Sequence, residues 1–189
     1  MTVAVTRARE AGLELARMLA TLLWVGATSA LLIGGVGALP GWIAGETAVR
    51  HVGTIADAER RLGARLVLPG YFPERLAWPP AEVRIAGGRR GSVALTFLDH
   101  SGGPALQIVQ ATAEGAAIAP ELLASRTVLA AQPTAVGSRP GTLSTVLLDG
   151  QRWQELSWDL RGRPVMVRTR GDVEELYRMA RTTHREGGR

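Results

Sequence analysis

Three histidines, His51, His100 and His184, are the first candidates for proton transfer or metal binding in this 189-residue chain. None has a second ligand at i+3 or i+4, the spacing that builds a zinc site, so all three read as ordinary surface side chains. Asp99-His100-Ser101 contains the residue types of a hydrolytic triad. Direct neighbours in a Gly-rich stretch give no warrant for nucleophile, base and orienter geometry, and the segment reads as a turn. Gly137-Ser138-Arg139-Pro140-Gly141 lacks the G-x-S-x-G placement of a nucleophile elbow. Gly87-Gly88-Arg89-Arg90-Gly91 joins two expected strands, so no helix N-terminus follows it to cradle a phosphate. Glu155 and Asp159 lie four apart on an expected strand, where a solvated face explains both carboxylates without acid–base chemistry.

Cysteine is absent, which removes disulfides, thiolate catalysis and cysteine-ligated clusters. No catalytic residue, cofactor or metal is therefore expected, and the chain does not read as an enzyme. The formal net charge is +5, carried on the basic side by arginine alone. Only Arg60-Arg61 and Arg89-Arg90 are adjacent, so there is no basic stripe with interleaved aromatics and no nucleic acid is expected as partner.

The elements that would position any such residues fall into two regions. Residues 18–43 carry no charge and are bounded by Arg17 and Glu46. That run exceeds the roughly 20 residues a helix needs to cross the hydrocarbon core, and it predicts one transmembrane helix. Arg7, Arg9 and Arg17 precede it, so the positive-inside rule puts residues 1–17 in the cytoplasm as a short tail and everything after the span outside. The expected location is a bacterial inner membrane, with Trp42 at the outer interface. The competing reading is a cleaved signal peptide with Val36-Gly37-Ala38 as the cleavage site. Gly26, Ala30, Gly34 and Ala38 recur every fourth position and line one helix face, a small-residue stripe on which another membrane helix can pack closely. Pro40 ends or kinks the helix.

After a linker at 44–53, an extracytoplasmic α+β domain is expected over 54–183, then a frayed tail at 184–189. Thr54 caps a helix over 55–62, with Asp57 as capping-box-like partner and Gly63 as the stop. Strands are predicted at 64–68, 82–86, 92–98, 105–110, 127–131, 142–148, 153–160 and 165–170. Asp149-Gly150 marks the clearest hairpin. Leu156, Trp158 and Leu160 alternate with Glu155, Ser157 and Asp159, the pattern of a sheet with one buried face. A helix over 172–181 covers that face with Val173, Leu176, Tyr177 and Ala180, while Glu174 and Arg178 pair on its wet side. The result is an antiparallel sheet of about six or seven strands packed against a C-terminal helix. Tyr71, Phe72 and Trp78 cluster beside prolines and are the expected partner surface if exposed.

Two blocks carry a family resemblance. Residues 57–76, DAERRLGARLVLPGYFPERL, hold a short helix, a strand and a Pro-x-x-x-Pro-Glu segment at Pro69, Pro73 and Glu74. Leu156-Ser157-Trp158 precedes a Gly turn, a strand and a helix ending near Met179-Ala180. Together they resemble the opening and close of the DUF4367 family. The resemblance implies an extracytoplasmic sheet-and-helix domain, often found behind the transmembrane helix of anti-sigma-factor-like proteins, and no catalytic residues. Only 17 residues precede the span, too few for a cytoplasmic sigma-binding domain, so direct anti-sigma action is not expected. The expected function is that of a membrane-anchored accessory subunit of a larger complex, respiratory or photosynthetic for example, with other transmembrane proteins and the lipid bilayer as partners. The alternatives are a regulatory sensor of anti-sigma or envelope-stress type and a lipid or lipoprotein carrier.

Overall fold

The structure, a computed structural model, describes residues 48–185. The predicted span at 18–43, its Gly26, Ala30, Gly34, Ala38 stripe and the tail from 186 onward lie outside the described residues. Among the described residues no helix is long and apolar enough to cross a membrane.

The first elements are β1 (Arg50–Val52) and helix α1 (Ile55–Leu62). The helix starts where Thr54 Oγ1 accepts a hydrogen bond from the Asp57 amide at 3.1 Å, and it stops at Gly63, whose φ of 64° is the left-handed cap conformation. Ala58 and Leu62 turn inward, one helical turn apart. There follow β2 (Val67–Pro69), β3 (Glu82–Ala86), β4 (Ser92–Leu98) and β5 (Pro104–Ala111). After a single 3₁₀ turn at Pro120–Leu122 come β6 (Thr127–Val136), β7 (Arg139–Leu148), β8 (Gln151–Asp159) and β9 (Pro164–Thr169). Helix α2 (Val173–Arg181) and β10 (Thr183–Arg185) complete the order. Asp149 and Gly150 join β7 to β8 with φ of 48° and 75°, the paired positive values of a type I′ hairpin.

Eight strands form one antiparallel sheet in the order β1-β3-β4-β5-β9-β8-β7-β6, and β10 pairs with β2 in a second, two-stranded sheet. The expected α+β class holds, and the strand count of six or seven is corrected to eight plus two. The difference lies in three-residue strands. Residues 50–52, read as linker, pair with β3, and 183–185, two of them read as frayed tail, pair with β2. Segments so short have no hydrophobic period and are held only by their partners. Residues 127–136 make a longer strand than the predicted 127–131, because Pro133 is tolerated on an outer strand.

The side chains of the sheet divide by strict alternation. One face carries Val83, Leu95, Ile108, Val167, Leu156 and Trp158, and α1, α2 and the small sheet close over it. Leu176 and Met179 of α2 are fully buried there, while Val173 and Tyr177 sit at the margin. Gln110 locks the small sheet to the large one. Its amide accepts from Val67 N and donates to Val67 O, both at 2.9 Å, so a side chain replaces one rung of a ladder. Arg178 does not pair with Glu174 as expected; its guanidinium lies 4.8 Å over the Tyr71 ring.

Much of the second face is covered, whereas the alternation in β8 suggests a solvated one. Residues 112–126 run across it and bury Ala86, Ala94, Val109 and Met166 beneath Leu122, Ile118 and Leu123. Glu155, expected on a wet face, is 4 % exposed. A covering segment without periodicity leaves no mark in the strand pattern that it covers.

Candidate interaction surface

The segment between β2 and β3 is held at both ends before it displays anything. Gly70 N donates to Thr182 O at 2.8 Å and Tyr71 N to Thr182 Oγ1 at 3.1 Å. Ala77 N donates to Leu98 O at 2.8 Å and Ala81 N to Thr96 O at 2.9 Å. Between these anchors Arg75 Nη2 donates to Glu175 Oε2 at 2.5 Å and to Thr169 Oγ1 at 3.2 Å, tying the turn to α2 and β9.

On this frame Phe72 and Trp78 meet, with ring centroids 5.5 Å apart in an edge-to-face arrangement. Beneath them lies Phe97 of β4, fully buried, with centroids 5.2 Å from Phe72 and 5.8 Å from Trp78. Trp78 itself is 60 % exposed, the most exposed of the large hydrophobics described. Tyr71 does not join the cluster; it is partly buried against α2 and pairs with Arg178. Of the three sequence candidates, two are brought together and the third braces the frame. Phe97 was not among the candidates, since its contact with Trp78 exists only once β4 pairs with its neighbours.

The outer strand β6 is a second apolar surface. It carries no charge over ten residues, and Val128 and Leu129 are about half exposed. Its edge is blunted by an irregular register between Val128 and Ala130 and by Pro133, both devices that hinder another strand from adding on.

The residues considered for chemistry are separated by the fold. His51 stands on β1, 3.4 Å from Glu82, and His100 bonds the Glu74 carbonyl at 2.8 Å through Nε2. Backbone is all that is described of His184, on β10. Among the described residues no group of three histidines or carboxylates converges on a metal position. Ser101 Oγ donates to Asp99 Oδ1 at 2.5 Å, and the same oxygen accepts from the amides of Ser101 and Gly103. The histidine of Asp99-His100-Ser101 thus points away from its serine, and the tripeptide is an Asx-type turn.

Those hydrogen bonds, chiefly the one from the Ser101 hydroxyl, hold the Asp99 carboxyl below its ordinary range. A depressed folded value stabilises the fold above the unfolded pKa, and that contribution is lost as pH falls through the folded one. The difference in urea midpoint between the parent chain and Asp99→Asn is therefore expected to shrink steadily as pH drops below the carboxylate range. A gap independent of pH would contradict this role for the turn.

Among the described residues, one strongly buried ion pair lies across β8 and β9. Arg168 is 0 % exposed, and its Nη2 stands 3.3 Å from Glu155 Oε2 and 3.1 Å from Met166 Sδ. Arg126 Nη2 lies 3.3 Å from Glu155 Oε1, so two guanidiniums share one carboxylate. Burial pushes the Arg168 guanidinium down from its ordinary pKa, the Glu155 charge opposes that, and the Arg126 and Arg84 charges add to it. The pair is a structural one, enclosed by the covering segment.

No protein-family model matches the chain, and no curated protein or solved structure matches it.

Proposed function

We propose that the chain is a non-enzymatic, single-pass accessory subunit that binds a larger membrane protein complex through its helix and its extracytoplasmic domain. The observation that carries the domain's part is Trp78, an exposed indole on a rigid base. A large aromatic side chain already fixed by Phe72 and Phe97 loses little freedom on docking, and such residues dominate binding energy at interfaces. The anchor at 18–43 and its Gly26, Ala30, Gly34, Ala38 stripe are the proposal's membrane half. Kinship with DUF4367 domains belongs to it too, resting on the Pro69, Pro73, Glu74 segment and on Trp158. The carrier alternative gains no support from the space between sheet and helices, which Leu62, Leu176 and Met179 fill.

Purification of the full chain in mild detergent, followed by mass spectrometry, tests this. Membrane proteins are expected to co-purify, and Trp78→Ala is expected to reduce their recovery at least about tenfold, the loss of a typical aromatic hot spot. Its thermal midpoint should stay within about 2 °C of the parent, since a mostly exposed side chain contributes little to folding. A monomer that brings down no membrane protein, or undiminished recovery with Trp78→Ala, would overturn the reading.

A further inference from the structure

A row of polar side chains crosses the second face of the sheet. Glu82 stands opposite Thr96, Thr96 opposite Gln107, Gln107 opposite Arg168, and Arg168 opposite Glu155. The covering segment and Arg126 close the Arg168–Glu155 end. The other end is open: Glu82, Thr96 and Gln107 floor a cleft of about 420 Å³, walled by Trp153, Leu148 and Ala124. Gln107 is only 8 % exposed, and among the described residues its amide has no hydrogen-bond partner. That amide meets solvent only through the cleft, so its donors and acceptor are free for something that enters it.

The charges around the cleft are already answered. Glu82 lies 3.4 Å from Arg84 Nε, and the rim holds one further carboxylate, Asp149, and one further guanidinium, Arg170, whose Nη1 donates to Pro104 O at 3.2 Å, so the formal charges at the cleft cancel. A site balanced in this way suits a neutral ligand better than an ion. Planar amide and carboxylate ends serve groups that both donate and accept, such as adjacent hydroxyls. Trp153 and Leu148 offer an apolar wall for a C–H face. One ligand class unites dense hydroxyls with an apolar face in a compact ring.

We infer that this cleft binds a neutral saccharide, held by Gln107, Thr96 and Glu82 against Trp153. The site is separate from the Trp78 patch, since Thr96 faces one side of the sheet and its neighbour Phe97 the other. Its ligand could be a free sugar or a unit of a glycan polymer, and both present the same ring chemistry.

Calorimetric titration of the full chain, in a detergent without a sugar headgroup, tests the inference with glucose, N-acetylglucosamine and chitotriose, and with tetramethylammonium as a cationic control. At least one saccharide is expected to bind with a Kd of about 1 mM, fitting a small ligand held by a few hydrogen bonds. Binding of a monosaccharide identifies a free-sugar site; binding of chitotriose alone identifies a glycan site. Gln107→Leu should weaken binding at least about tenfold, while Glu82→Gln, which keeps a hydrogen-bonding end, should stay within about threefold. Thr96→Val removes one hydroxyl at constant shape and serves as a second weakening variant. The inference is overturned if no saccharide gives heat, if Gln107→Leu and Thr96→Val both bind as the parent does, or if only tetramethylammonium binds and Glu82→Gln abolishes it.

Discussion

Glu155→Ala is expected to lower the unfolding free energy by about 3–5 kcal/mol, the cost of leaving a buried charge without its partner. Arg168 has no access to water, and its Nε and Nη1 already lack hydrogen-bond partners. Glu155 is the only carboxylate within ion-pair distance of it among the described residues. Removing that carboxylate also leaves Arg126 and Arg168 facing each other across the gap. Replacing both members with apolar residues, as in Glu155→Leu with Arg168→Met, should return stability to within about 1 kcal/mol of the parent, because the desolvation cost of both ions disappears together. Urea unfolding at constant m-value measures the two changes. A single substitution that costs less than about 1 kcal/mol would mean that water reaches Arg168 in solution.

Phe97→Ala is the second large effect, at about 3–5 kcal/mol for a fully buried phenylalanine. It acts at two levels, because Phe97 is both part of the core and the base beneath Trp78. Phe97→Leu separates them. It keeps most of the volume and should cost less than about 1.5 kcal/mol, yet it removes the ring stacked on Trp78. The near-ultraviolet circular dichroism of the coupled rings should then fall sharply in a protein that still unfolds cooperatively. An unchanged aromatic spectrum would show that Phe72 alone orients Trp78.

How much could be read from the chain depends on whether a residue's role is local. Helix α1 was legible from Thr54 to Gly63, because its cap, its stripe and its stop all lie within ten residues. The bounds of β3 and β4 and the Asp149-Gly150 hairpin were legible for the same reason. What escaped depends on pairing over distance. Strands β1 and β10 exist only as partners of β3 and β2. Glu155 looked like a solvated carboxylate until residues 112–126 were seen to lie over it. The aromatic surface divided along this line as well: Phe72 and Trp78 share one turn, whereas Phe97 reaches them only from β4. The polar row that includes Gln107 is a property of register across five strands, and no window of sequence contains it.

The pairing of β10 with β2 has a consequence for how the domain is made. The Tyr71–Thr182 hydrogen bond beside it spans 111 residues, so the early segment that displays Trp78 is fastened by some of the last residues of the domain to be synthesised. Until they arrive, β2 has an unpaired edge, and contacts of such long sequence separation slow folding and prolong the exposure of sticky intermediates. During synthesis, the nascent domain therefore passes through a long interval in which its aromatic segment is present but unfastened. That is the period in which a chaperone would be needed most.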